Sequence, residues 1–269
     1  MASPPRRTAL VTGASAGIGR AFARQLALRD FDLVITARRR ERLVELQSEI
    51  ARDRAVRVHV VTADLADAAA PQALHDEIAR LGVAIDVLVN NAGFGIGSTY
   101  IKSTWRQQAD FIQVMMTAVA QLTHLFLPGM LERDFGRIIN VASLAGLMYG
   151  APGNTLYGAA KSFLIKFSES LALELERTDV RVTAVCPGFT YSEYHDVAGT
   201  RDRVRQLPNA MWMDADTVAR QGIEAALRGQ VVYVNGSVNK LIAAAMKHLP
   251  APLARSVIRR QAKNFRKLD

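Results

Sequence analysis

The chain has 269 residues, 49% hydrophobic and 22% charged, with a formal net charge of +9 and one cysteine, Cys186. These values suit one well-buried α/β domain and exclude collagen-like, disordered and disulfide-stapled chains. A lone cysteine, no apolar leader in Met1–Arg7 and apolar runs far shorter than a bilayer span give a cytoplasmic location as the expectation.

From the N-terminus, Thr8–Thr12 predicts a strand, glycine-rich punctuation follows, and Ile18–Arg29 predicts a helix. Asp32–Ala37 reads as a second strand before a charged helix with Leu43, Leu46 and Ile50 on one face. Val56–Thr62 predicts a third strand and Ala73–Leu81 a helix. Ile85–Val89 and Arg137–Val141 read as buried strands on either side of a long helix, about Asp110–Leu131. A helix over Tyr157–Arg177 leads to a strand at Val180–Val185, and Gln230–Val234 reads as the last strand. Continuous rather than alternating apolar strands mean that both sheet faces are covered. That is the pattern of an α/β, doubly wound parallel sheet, Rossmann-like. Without a repeat or linker, residues 1–236 are expected to form one dinucleotide-binding and catalytic domain, and 237–269 a helical extension of it.

Three constellations carry chemistry. Thr12–Gly19 places Gly13, Gly17 and Gly19 where the first strand turns into the first helix. Such glycines let the backbone approach a pyrophosphate at a helix N-terminus, although a turn built only for tight packing has the same composition. At the end of the second strand, Ala37 is followed by Arg38, Arg39 and Arg40, where a carboxylate would bind the ribose 2′-hydroxyl of NAD. Arginines there suit a 2′-phosphate and oppose the helix macrodipole, which argues against a merely solvated helix start, so NADP(H) is the expected cofactor. Tyr157 and Lys161 are four residues apart and share one helix face, a spacing that by itself is better explained by an exposed Tyr and Lys on a helix. A nearby ammonium favours the phenolate and makes tyrosine a usable acid–base group near pH 7. Ser143, just beyond the strand Arg137–Val141, is placed to hydrogen-bond a substrate oxygen.

With these residues in view, the chain resembles a short-chain dehydrogenase/reductase of the classical type from about Thr8 to Gly236. The resemblance is carried by Thr12–Gly19, Asp64-Leu65, Asn90-Asn91-Ala92-Gly93, Ser143, Tyr157 with Lys161, and Cys186-Pro187-Gly188, in order and each on the right element. It implies that Gly13, Ser15, Ile18 and Gly19 line the cofactor phosphates and adenine ribose, and that Arg38 holds the 2′-phosphate. Asp64 and Leu65 would flank adenine, Asn90 would lie under the adenine ribose, and Pro187, Gly188 and Ser192 would border the nicotinamide. It also implies carbonyl reduction, or oxidation of the corresponding secondary alcohol, with Tyr157 as general acid, Lys161 tuning it and binding the nicotinamide ribose, and Ser143 orienting the carbonyl. A homodimer through the long helices is expected, with Phe163, Phe167 and Leu171 as candidate contacts.

Three features depart from the family. Met115 stands where relatives carry an asparagine that supports a proton-relay water, and a thioether has no amide donor. One extra residue separates Ser143 from Tyr157. After Gly236 the chain continues, and from Lys240 onward it has eight basic residues and one acidic one. Leu253, Val257, Ala262, Phe265 and Leu268 alternate there with arginines and lysines, a basic amphipathic helix that either meets an anionic membrane or acidic partner, or packs on its own domain or a second subunit. Because the basic surplus is confined to this tail, no nucleic-acid binding is expected. The segment Phe189–Met213, with Tyr191, Tyr194, Met211 and Trp212, reads either as an apolar substrate wall or as core. As a wall it suits an apolar, long-chain acyl or steroid-like substrate. The five histidines, His195 among them, lack metal-ligand spacing, so no metal is expected. The rival from another class is a non-catalytic NADP(H)-binding regulatory protein on the same fold.

Overall fold

The computed structural model describes residues 6–153, 155–191 and 211–265. Seven strands make one wholly parallel sheet: β1 (Thr8–Thr12), β2 (Asp32–Ala37), β3 (Val58–Thr62), β4 (Val87–Asn90), β5 (Gly136–Val141), β6 (Val180–Cys186) and β9 (Val232–Val234). Their order is β3-β2-β1-β4-β5-β6-β9. The short strands β7 (Phe189–Thr190) and β8 (Trp212–Met213) pair separately. All five residues of β1 are buried because the sheet is covered twice. Val11 faces a cluster built from α1 (Gly17–Ala27), α2 (Arg40–Asp53) and α7 (Ala215–Leu227). Leu10 faces the opposite cluster, which includes Leu74 and Ile78 of α3 (Ala70–Arg80).

The long helix starts earlier than its apolar pattern suggests. Thr104 and Gln107 form a capping box, the Thr104 hydroxyl accepting from the Gln107 amide N–H and the Gln107 side chain accepting from the Thr104 N–H, so α4 runs Trp105–Ile112. A π-helical turn over Gln113–Thr117 joins it to α5 (Ala118–Glu132). By length and composition this 28-residue stretch is apolar enough to cross a membrane. Here Val114, Leu122, Phe126 and Met130 instead pack on the sheet beside α3. Beyond β5, the turn Leu144–Leu147 leads towards α6 (Thr155–Glu174).

The C-terminal residues fold back as a hairpin of α8 (Ser237–His248) and α9 (Ala251–Phe265). Met246, Ala254 and Ile258 cluster with Ile242, Leu249, Met148 and Ala151. The inner side of the extension therefore docks on the loop that follows Ser143.

Candidate active site

In a doubly wound sheet, ligands bind beyond the carboxyl ends of the strands where the strand order reverses, here between β1 and β4. The turn after β1 is locked to the end of β4. The Thr12 hydroxyl donates to Val89 O and accepts from the Asn91 and Ala92 N–H groups, while the Asn91 amide donates to Thr12 O at 2.9 Å. Gly13 has φ +66°, and a Cβ there would lie 2.8 Å from Ala92 Cα, so this tight approach tolerates no side chain. Gly19 is likewise closed in by Gly13 O and the Asn91 amide. The N-terminus of α1 that follows has neither a side-chain cap nor an acidic residue in its first turn. Its amide groups and positive dipole end are thus left to an anion, and the cradle fits a dinucleotide pyrophosphate.

The other expected cofactor residues fall around this cradle with differences. Ser15 is buried, and its hydroxyl accepts from the Arg39 guanidinium at 3.3 Å. Arg39, exposed like Arg38, thus joins the β2 end to the glycine loop, a link that sequence reading missed by stopping at the first arginine. Ile18 leans on the α1-side core. Asp64 is exposed after β3, and the Leu65 side chain is buried in the opposite core. Asn90 sits at the end of β4 in a buried polar network. Its amide donates to Asn140 Oδ1 at 2.9 Å and Thr123 Oγ1 at 3.3 Å, and Asn140 in turn donates to Ser168. That network engages the Asn90 amide nitrogen, while its Oδ1 has no hydrogen-bond partner among the described residues.

The catalytic candidates gather at the ends of β5 and β6. The Ser143 hydroxyl accepts from the Ala145 N–H at 3.1 Å, opening the turn Leu144–Leu147. That turn presses on α6: a Cβ on Gly146 would lie 2.6 Å from the Lys161 carbonyl carbon, and the Ser162 hydroxyl donates to Gly146 O. Ser143 is thereby fixed beside the first turns of α6, which carry Tyr157 and Lys161. The Lys161 ammonium is buried, donates to Val141 O at 2.7 Å and lies 5.8 Å from the centroid of the Tyr157 ring. Burial pulls its pKa down from 10.5 to about 8, against a smaller opposing influence of Cys186. The same burial pushes the Cys186 thiol up to about 12, leaving it a neutral wall of the site. Met115, buried in the π-helical turn, packs with Phe111 and Ala160 against Leu156 and Tyr157. Its sulfur also crowds Gly93, where a Cβ would meet it at 2.6 Å. Met115 is thus an apolar plug where the resemblance led to the expectation of an asparagine.

A small open hollow lies against Tyr157, walled by Ile96, Phe111 and Leu156 with Ser98 and Gln108. Pro187 accepts from the Leu144 N–H through its carbonyl, which ties the segment after β6 to the serine turn. Gly188 abuts Asn239 of α8, whose amide donates to Asn235 O at 2.8 Å. This contact of the extension was not anticipated from the sequence. Tyr191 stacks on Trp212 at 4.6 Å and is half exposed. Ser192, Tyr194 and His195 lie outside the described residues. Among the described residues no three His, Cys, Asp or Glu side chains converge as a metal would require.

Comparison with known proteins agrees with this geometry. Residues 7–202 match the family model described as short chain dehydrogenase. Sulfoacetaldehyde reductase 2 of Chromohalobacter salexigens is 36% identical over 190 residues, 69% of this chain and 73% of that protein. The 3-oxoacyl-[acyl-carrier-protein] reductase FabG of Aquifex aeolicus is 31% identical over 241 residues, 86% and 97% of the two chains. A short-chain dehydrogenase from Sphingobium yanoikuyae, solved in complex with NADPH, superposes with a TM-score of 0.79 at 28% identity, covering 91% of this chain and 96% of that one. The chain belongs to the short-chain dehydrogenase family of oxidoreductases.

Proposed function

We propose that this protein uses NADP(H) to reduce a carbonyl, or to oxidise the corresponding secondary alcohol, on an apolar or long-chain acyl or steroid-like substrate. The observation that carries this reading is the buried Lys161 ammonium one helical turn from Tyr157, beside the serine turn and the cradle at the α1 N-terminus. When bound, the nicotinamide supplies or accepts the hydride. Tyr157 gives its phenolic proton to the substrate oxygen, or takes it back in oxidation. Lys161 holds positive charge near that phenol and favours its ionised form. The Ser143 hydroxyl, fixed by Ala145, orients the oxygen. Arg38 and Arg39 supply the positive charge for a 2′-phosphate, which supports NADP(H) over NAD(H). Ile96, Phe111 and Leu156 give the hollow its apolar character. We also propose a homodimer formed through α5 and α6.

The test is NADPH oxidation against ketones of increasing chain length, with Tyr157→Phe as the diagnostic variant. This variant keeps the ring and removes the proton donor, so turnover should fall about 10²-fold or more while NADPH still binds. Ketone reduction unchanged in the variant would remove Tyr157 from this role. If the wild type binds NADPH yet turns over no ketone, the regulatory reading, which the Met115 plug favours, replaces the catalytic one.

A further inference from the structure

The hairpin of α8 and α9 uses its inner side on Met148 and Ala151, but its outer side is unlike an ordinary solvated surface. Val238, Leu241, Leu253 and Val257 are 42, 72, 57 and 42% exposed. Val238 and Leu241 are i,i+3 neighbours, and Leu253 and Val257 are i,i+4 neighbours, so each pair forms a stripe on its helix. Lys247, Arg255 and Arg260 are exposed on the same two helices and make no ion pair among the described residues. Between Ser237 and Phe265 there is not one Asp or Glu.

Solvated helices generally intersperse both charge signs, whereas exposed leucines with cations only are the composition of helices that lie in a lipid interface. Nucleic acid would engage the cations but gives no reason for the leucines, because its backbone term is electrostatic. An anionic bilayer uses both: headgroup phosphates meet the cations and the acyl boundary receives the apolar stripe. We propose that the outer face of the α8–α9 hairpin attaches the protein reversibly to anionic membrane surfaces. Since the inner face of the hairpin rests on the loop following Ser143, attachment holds the catalytic end close to the lipid. The proposal does not depend on which carbonyl is reduced.

The experiment is co-sedimentation of the full-length protein with phosphatidylglycerol–phosphatidylcholine vesicles and with phosphatidylcholine vesicles, at low and high salt. Binding to the anionic vesicles alone is expected, and high salt should release it as the Debye length shrinks. The triple variant Lys247→Glu, Arg255→Glu, Arg260→Glu should partition about a hundredfold more weakly. Leu241→Ser with Leu253→Ser should also weaken binding, although it changes no charge. Melting temperatures near wild type in both variants keep these losses attributable to the surface. Failure to sediment with anionic vesicles at low salt overturns the proposal, as does equal binding to neutral vesicles. It is also overturned if neither set of substitutions reduces binding. Conversion of a larger oligomer to a smaller one by the leucine variant would assign the face to a second copy of the chain instead. Duplex DNA binding indifferent to the leucines, without vesicle binding, would assign it to nucleic acid.

Discussion

Burying an ammonium disfavours its charged form, and the bond from Lys161 to Val141 O offsets only part of this. A pKa brought from 10.5 to about 8 corresponds to a penalty of about 3 kcal/mol at pH 7. Below pH 8 both the folded and unfolded chains carry the proton and the penalty is complete. Between about 8 and 10.5 the unfolded chain binds more protons, so this residue makes stability rise with pH; above that range the penalty is gone. Lys161→Met removes the charge and gives up one hydrogen bond, worth about 1 kcal/mol. The variant should therefore be more stable than wild type at pH 7 by about 1–2 kcal/mol, and the gap should close as the pH approaches 10. Turnover should fall at least about 10²-fold in the same variant. Denaturant titrations at two pH values check this, and a variant less stable than wild type at pH 7 contradicts it. The arginines after Ala37 carry a second prediction at this scale. A charge-assisted bond to the 2′-phosphate is worth about 1.5–3 kcal/mol, so Arg38→Ala and Arg39→Ala should each cost NADPH affinity about tenfold or more and leave NADH nearly unchanged. Isothermal titration with both cofactors tests it, and equal wild-type affinity for the two would refute the choice of NADP(H).

Among the elements, strands were the most legible, because residues covered on both faces leave continuous apolar runs; β1 and β2 coincide with the runs Thr8–Thr12 and Asp32–Ala37. The start of α4 was less so: Trp105 is largely exposed and breaks the apolar stripe, although the Thr104–Gln107 box was present in the sequence. The π-helical turn had no local signal; within it Met115 packs against Tyr157 and approaches Gly93, contacts between residues far apart in the chain. Spacing alone left Tyr157 and Lys161 indistinguishable from an exposed pair on a helix, and only the order of motifs along the chain singled them out with Ser143. Asn239 was not legible, because a polar residue in a basic helix reads as solvated until Gly188, remote in sequence, closes over it. This contact makes a test of how α8 supports the floor of the cleft. A Cβ on Gly188 would lie 2.7 Å from Asn239 Cγ, so Gly188→Ala should lower the melting temperature and raise KM for NADPH. Asn239→Ala removes the obstructing amide and its bond to Asn235 O, costing about 1 kcal/mol alone. The double variant should be better than the sum of the two losses predicts, with a coupling of at least about 1 kcal/mol. Strict additivity would mean that the two residues do not press on each other.

At the scale of the whole molecule, one sheet face is closed by helices that still present apolar surface outward. The most apolar 18-residue window of the α4–α5 stretch is only 44% buried within the chain. Leu131 on α5 and Leu173 on α6 are 39% and 67% exposed. The expected contact residues are all partly exposed. Phe163 and Leu171 lean on the chain's own core, whereas Phe167 stacks on Phe163 at 5.7 Å and remains part-exposed with Leu173. Two antiparallel copies of an α5–α6 face would form an isologous contact in which each helix meets its symmetry mate. A stable interface of this kind needs about 800 Å² from each partner, within reach of two helices of 15 and 20 residues. The full-length protein should therefore scatter light as a dimer at micromolar concentration. Leu131→Glu combined with Leu173→Glu places like charges across the two-fold axis and should shift it to monomer, with little change in monomer melting because both side chains are exposed. A wild-type monomer in the presence of NADPH, or a dimer indifferent to these charges, would rule out this face as the interface.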